Sequence, residues 1–338
     1  MSTGSEDAMK KCIDTVCRLL IPGKGLLAAD ESLGTIARRF EPLGILSTPG
    51  TRRDYREMLF AVPMLAQHIS GIILFEETLS QTNAEGRLFP DWISDLGIVP
   101  GIKVDRGTVP FFTGSRETIT EGLDGLSVRL GEYALQGAKF AKWRGVIHID
   151  ETLPTMNAII ANAVSLARYA RLCQDTGLVP IIEPEVLMDG SQNIIRSADV
   201  TRALLEAVFD ALYAAGVCLE AIILKPNMVV PGAASGSSIS SGEVAQQTLD
   251  VLRRCVPPAV PGIAFLSGGQ SPDMATRHLR DMVRMGSAPW RLTFSYGRAL
   301  QDEALGVWRG QAANIEEAQA ILIARAKALS AAAHEADA

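Results

Sequence analysis

Cysteine and histidine are scarce here: the 338-residue chain holds five of one and four of the other. The cysteines Cys12, Cys17, Cys173, Cys218 and Cys255 are odd in number and never spaced CxxC. A disulfide framework or a zinc knuckle is therefore not expected, and reduced cytosolic thiols are the simpler reading. The histidines His68, His148, His278 and His334 form no HExxH pattern, so no metal site is expected either. Glycine patterns for nucleotides are missing: neither GxGxxG nor GxxxxGK[ST] occurs. There is no excess of basic residues. Lys and Arg number 32 against 38 Asp and Glu, a net charge of −6, which gives no footprint for nucleic acid. The start, MSTGSEDAMKK, has no apolar signal core, so a cytoplasmic location is expected. The stretch Leu59 to Phe75 is free of formal charge and contains Pro63, Gln67, His68, Ser70 and Gly71. It reads as helix followed by strand and not as a membrane span.

What the chain does have is apolar bulk, at 47% of residues, enough for a large core and far from the composition of a disordered chain. Eight short apolar runs recur: 25–30, 69–76, 99–105, 138–147, 178–186, 220–228, 262–270 and 291–300. Segments with helical periodicity lie between them, such as 163–174 and 200–216. Strands alternating with helices imply parallel pairing through crossovers, and near-continuous apolar strands imply a sheet covered on both faces. Eight units predict an α/β fold, a single closed (β/α)8 TIM barrel over residues 1–338. A C-terminal helix at about 314–334 and a short tail complete it, with Asn314 and Glu317 spaced as a capping box. An open doubly wound sheet is the competitor, but it normally carries a glycine-rich turn after its first strand, and GLLAADESLG is not one.

The strand ends hold the polar groups: Asp30, Glu76, Lys103 with Asp105, Lys142 with Arg144, Glu183 with Glu185, Lys225, Ser267-Gly268-Gly269, and Ser295 with Gly297 and Arg298. Any one of these alone reads as a solvated strand end. Together they fit the C-terminal mouth of a barrel, since residues i and i+2 of a strand share a side. Lys142 and Lys225 sit inside apolar runs and must find partners, for which Asp30, Glu183 and Glu185 are available. Two expectations follow for that pocket. A lysine beside a second cation has a lowered pKa and becomes a nucleophile, and a carboxylate crowded by another is held partly protonated. FLSGGQS offers backbone N–H groups without obstruction, and SYGRAL sets a glycine beside an arginine, so both read as phosphate grips, although SGG alone reads equally as a turn.

These same segments carry a family resemblance. LLAADES (26–32), GIKVD (101–105), KFAKWR (139–144), VPIIEPEVL (179–187), ILKPNMV (223–229), FLSGGQS (265–271) and FSYGRALQ (294–301) resemble the class I, Schiff-base-forming fructose-1,6-bisphosphate aldolases. The resemblance implies reversible cleavage of fructose 1,6-bisphosphate to dihydroxyacetone phosphate and glyceraldehyde 3-phosphate, in a cytoplasmic homotetramer that needs no metal or other cofactor. It implies that Lys225 forms the Schiff base, Glu183 is the acid/base and Glu185 orients and neutralises the lysines. Lys142 would hold charge near Lys225, and Asp30 would take the hydroxyl proton as the carbon–carbon bond breaks. Ser267, Gly268, Gly297 and Arg298 would grip the phosphate next to the ketone. Lys103, Arg144 and Ser32 would face the other, with Arg52 a phosphate contact on a looser match. Two departures stand out. Animal members end in a tyrosine that assists proton exchange, whereas the last tyrosine here is Tyr296 and the chain ends AAAHEADA. Preference between bisphosphate and monophosphate is therefore open. Thr35 stands where the family often has serine. The Gly/Ser-rich stretch 231–242 reads as a mouth lid or as a plain surface loop. The alternatives are another phosphosugar barrel enzyme, such as an isomerase or a transaldolase, or a scaffold that binds a partner of the cytoskeletal kind. No nucleic acid or membrane partner is expected.

Overall fold

Alternating apolar strands and amphipathic helices close into a barrel in a computed structural model that describes residues 3–286 and 288–334. The strands are β1 (Gly25–Ala29), β2 (Ile69–Leu74), β3 (Val99–Lys103), β4 (Thr108–Pro110), β5 (Thr118–Thr120), β6 (Phe140–Ile147), β7 (Val179–Val186), β8 (Ile223–Leu224), β9 (Gly262–Phe265) and β10 (Arg291–Tyr296). Eight of them form a closed ring in the order β1-β10-β9-β8-β7-β6-β3-β2 with parallel pairing, while β4 and β5 make a separate antiparallel hairpin. The expected closed (β/α)8 barrel is therefore present, and the open sheet is not. The sixth run, 220–228, proved mostly irregular. A 3-10 turn takes Leu219–Ala221, and only two residues pair as β8. Pro226 accounts for the early stop, since it has no N–H to give to a ladder.

Strand alternation divides the side chains between two cores. Leu27, Ala29, Ala141, Trp143, Ile182 and Leu224 point outward against the helices. Leu26, Ala28, Ile73, Val99, Phe140, Val179, Ile181, Ile223 and Ala264 point into the barrel. The N-terminal helix Thr3–Leu19 adds Cys12, Val16 and Leu19 to that inner cluster and so plugs one end. Phe140 fills the axis only because Gly101 faces it. A Cβ on Gly101 would lie 2.3 Å from the Phe140 ring. Outside, the helix Met156–Asp175 stacks Tyr169 on Trp143, with ring centroids 5.6 Å apart.

The C-terminal helix spans Ile315–Ala333, close to the expected bounds. The capping box at its start does not form. Asn314 Nδ2 instead donates to the carbonyls of Val307 at 2.8 Å and Trp308 at 3.4 Å, tying the helix to the preceding one. The short tail expected after it lies outside the described residues. No helix among the described residues is long and apolar enough to cross a membrane.

Candidate active site

The period of two carries the polar residues into the barrel mouth. On β6, Phe140 points inward, so Lys142 and Arg144 do too. On β7, Val179 and Ile181 set the phase for Glu183 and Glu185, and on β8 Ile223 sets it for Lys225. Asp30 continues the inward phase of Leu26 and Ala28. All four members of the central group are buried: Asp30 is 9% exposed and Lys142, Glu183 and Lys225 are 4% each. Lys142 Nζ lies 2.7 Å from Asp30 Oδ2 and 3.2 Å from Glu183 Oε2, and Lys225 Nζ lies 3.1 Å from Glu183 Oε1. One carboxylate thus bridges two ammonium groups. Register explains the second contact: Ile182 pairs with Leu224, so Glu183 and Lys225 are the next neighbours across β7 and β8.

Charge states follow from that geometry and overturn part of the expectation. Burial acts to raise Asp30, but Lys142 and Lys225 outweigh it and hold the carboxyl at about 2. Glu183 is likewise pushed up by burial and pulled below its usual range by Lys142, Lys225 and Arg144. Neither carboxyl is held partly protonated by the other, because lysines stand between them. Lys142 moves upward, not down: burial disfavours its charge, yet Asp30 and Glu183 more than compensate.

Glu185 differs from expectation as well. Its carboxylate is taken by Arg144 Nε, and not by a lysine. Lys142 stands opposite Ile181 yet reaches Glu183; Arg144 stands opposite Glu183 yet reaches Glu185. The same two-residue stagger of the tilted strands produces both pairs. Arg144 and Glu185 are simply one step nearer the rim.

Two anion-friendly regions flank the quartet. After β9, Gly268 and Gly269 are consecutive left-handed residues, with φ +58° and +88°, a turn that glycine adopts readily and that leaves no side chain to block its backbone N–H groups. A Cβ on Gly269 would lie 3.8 Å from Arg298 Nη2, so the loops after β9 and β10 share that space. Gly297 precedes the helix Arg298–Trp308, and Ser267 is buried at the strand end. Ser295, a strand-end group to which the sequence assigned no role, stands one residue before the end of β10 with a buried Oγ that has no hydrogen-bond partner. On the other side, a cavity of about 500 Å³ gathers Ser32, Lys103 and Arg144. Arg38, Arg106 and Arg129 also line it, and the sequence reading missed them. Arg38 carried a signal, one helical turn after Thr35, whose hydroxyl it contacts at 3.3 Å. Lys103 is held by Asp105 at 2.5 Å, and Thr35 by Ser32 at 3.0 Å. Arg52 does not join this cavity. Both its Nε and Nη2 donate to Glu77, at 2.7 and 2.5 Å, so the fork that would bind phosphate is occupied by a neighbouring helix.

A barrel mouth that buries two lysines around one glutamate, between two anion-gripping regions, defines an enzyme of phosphorylated sugars. Comparison with known proteins makes this particular. Residues 11–336 match the family model described as "Glycolytic: Fructose-bisphosphate aldolase class-I". Fructose-bisphosphate aldolase 4, cytosolic, of Arabidopsis thaliana is 51% identical over 91% of this chain and 79% of its own length. Fructose-bisphosphate aldolase C of Pan troglodytes is 49% identical over 96% of this chain and 89% of its own. Among solved structures, fructose-bisphosphate aldolase from Plasmodium falciparum, in complex with TRAP and a small molecule inhibitor, superposes with a TM-score of 0.95 at 45% identity. That match covers 97% of this chain and 95% of the other. The chain belongs to the class I fructose-bisphosphate aldolase family. It is a lyase of glycolysis, acting on fructose bisphosphate, and the isomerase and transaldolase alternatives give way to that activity.

Proposed function

We propose that this aldolase cleaves fructose 1,6-bisphosphate through a Schiff base on Lys225, and that Glu183 moves the protons. The observation that carries the reading is the single buried carboxylate within 3.2 Å of both ammonium groups. An amine must be neutral to attack a ketone, and Glu183 is the acceptor in reach of Lys225 Nζ. The amine adds to the carbonyl carbon, giving a carbinolamine. Glu183 then returns a proton to the departing hydroxyl as water leaves and the protonated imine forms. Asp30, ionised and facing the same space, takes the proton of the substrate's C4 hydroxyl. The C3–C4 bond breaks, the aldehyde departs, and its electron pair is drawn into the iminium as an enamine. Protonation of the enamine and hydrolysis of the imine release dihydroxyacetone phosphate and restore Lys225. Lys142 stays cationic between Asp30 and Glu183 and keeps both carboxylates ionised.

Barrel order supports the substrate's direction. Lys225 follows β8, beside β9, so the phosphate next to the ketone belongs with Ser267, Gly268, Gly297 and Arg298. The far phosphate then reaches Lys103, Arg144 and Ser32, around β1, β3 and β6. We take the chain to act as one barrel domain, in a cytoplasmic homotetramer, as its membership of the family and the cytosolic Arabidopsis relative suggest. A role in binding a partner protein stays secondary, resting on the TRAP complex of the Plasmodium relative alone. Borohydride reduction in the presence of dihydroxyacetone phosphate tests the central claim. A stable adduct on Lys225 is expected. An adduct elsewhere, or full activity in Lys225→Ala, refutes it.

A further inference from the structure

Behind the glycine turn after β9 lies a link that the cleavage chemistry does not use. Gln270 closes the turn twice onto one oxygen: its backbone N–H and its side-chain Nε2 both donate to Ser267 O, each at 3.0 Å. That fixes the amide, so Oε1 faces the other way. There it meets His278 Nδ1 at 2.6 Å. An amide oxygen only accepts, so His278 must donate from Nδ1. His278 is 2% exposed and sits on the helix Pro272–Arg284, which starts from the same turn with Ser271 as its N-cap. The imidazole therefore ties the body of the helix to the side chain that holds the turn shut. Within that turn Gly268 and Gly269 take left-handed φ, a pair of conformations with little of their own to hold them.

We propose that His278 is a positioning residue for the substrate's ketone-side phosphate. It acts through Gln270 to keep the Ser267-Gly268-Gly269 turn in its anion-binding shape. This rests on the reading of that turn as a phosphate grip. Its Nε2 has no hydrogen-bond partner, so the link runs through Nδ1 alone. A buried aliphatic residue at 278 would free the Gln270 amide, and the turn would have to be ordered at the expense of substrate binding. Asn is the informative replacement, because its Nδ2 is bonded to Cγ as Nδ1 of histidine is and can donate from nearly the same place.

The test compares kcat and KM for fructose 1,6-bisphosphate in four variants. His278→Leu is expected to raise KM about tenfold, equivalent to about 1.4 kcal/mol, with kcat within about twofold of the parent. His278→Asn is expected to return KM to within about twofold. Gln270→Met breaks the link from its other end and is expected to raise KM as His278→Leu does, which keeps the test standing if the leucine variant does not fold. Arg298→Ala reports on the grip itself. If Arg298→Ala raises KM but Gln270→Met and His278→Leu do not, the positioning role is overturned and the grip survives. If none of the three raises KM, the phosphate reading falls with it. A His278→Asn variant as impaired as His278→Leu also overturns the proposal, since packing and not the Nδ1 donor would then be at work.

Discussion

Glu183→Gln is the substitution that separates the proposed proton carrier from mere charge balance. It keeps the shape of the side chain and removes one negative charge from a group of two carboxylates and two ammonium ions. The parent quartet is neutral overall, and the variant buries one uncompensated positive charge. Removing one partner of a buried pair typically costs about 3–5 kcal/mol. Here Lys142 keeps Asp30 at 2.7 Å, so the loss falls mainly on Lys225 and belongs near the lower end, about 3 kcal/mol. The chemical effect should be larger. General acid–base groups contribute about 10²–10⁴-fold, and this one is assigned both to accept the proton of Lys225 and to dehydrate the carbinolamine. We therefore expect kcat for fructose 1,6-bisphosphate cleavage to fall at least about 100-fold, with KM changed little, because the phosphate grips lie elsewhere. Borohydride trapping with dihydroxyacetone phosphate, followed in time, reads imine formation without the cleavage step and should slow in parallel. Urea denaturation supplies the stability change. A kcat within about tenfold of the parent, or an unchanged trapping rate, would refute the role given to Glu183.

Three other perturbations probe different levels of the structure. His278, held down to about 4 by burial, and Asp30, held at about 2 against burial by Lys142 and Lys225, both have folded values below their unfolded ones. The unfolded chain then binds more protons, so stability is complete above pH 6.5 for His278 and falls by up to about 3 kcal/mol toward pH 4. Asp30 withdraws a further 2 kcal/mol or so between pH 3.8 and 2. Urea midpoints across this range should fall with pH, and the drop between pH 6.5 and 4 should shrink in His278→Asn; an equal drop there excludes the buried imidazole as its source. Gly101→Ala puts a Cβ 2.3 Å from the Phe140 ring, and should destabilise by about 3 kcal/mol or prevent folding, with partial recovery in a Gly101→Ala/Phe140→Leu double variant. Arg38→Met removes a charge from the far cavity without stranding a buried partner. It should raise KM for fructose 1,6-bisphosphate about tenfold and leave fructose 1-phosphate unaffected, and equal effects on both would move the far phosphate elsewhere.

The barrel was legible because its signal is local and repeated. Each buried parallel strand is apolar on both faces, and each is followed by a polar residue at the mouth. The elements that escaped are those whose stability comes from elsewhere. β8 shrank to Ile223–Leu224 because Pro226 cannot extend the ladder. The hairpin of β4 and β5 was invisible, being only three residues a side, half-buried and ended by Pro110. The N-terminal helix was not among the expected elements, and its Cys12, Val16 and Leu19 show their part only in the fold, where they plug the barrel. At the site, residue types were readable while pairings were not. Glu183 and Glu185 look equivalent in the sequence EPE, yet strand stagger gives one to the lysines and the other to Arg144. The direction of the carboxylate shifts could not be read either, since it depends on which charge stands between which. Arg52 illustrates the reverse error: the residue type was right for phosphate, but Glu77 had already taken its fork.

Position, and not sum, also resolves how a chain of net charge −6 handles a substrate with two phosphates. Around the far cavity, Arg38, Lys103, Arg106, Arg129 and Arg144 stand with Glu76 and Asp105, and Arg144 also meets Glu185, so the local sign stays positive. The interior quartet contributes nothing to that field, because its two lysines are matched by Asp30 and Glu183. A strongly positive centre would hold the anionic substrate equally in every register. A neutral centre between positive flanks favours one placement, with a phosphate at each side and the ketone carbon over Lys225. The strand period brings this about directly: inward residues of the upper layer cancel one another, and the rim and loop residues one step beyond carry the surplus. On this account, a variant that adds positive charge to the quartet should bind the bisphosphate no less tightly and still turn over more slowly, which is the split of KM from kcat expected of Glu183→Gln.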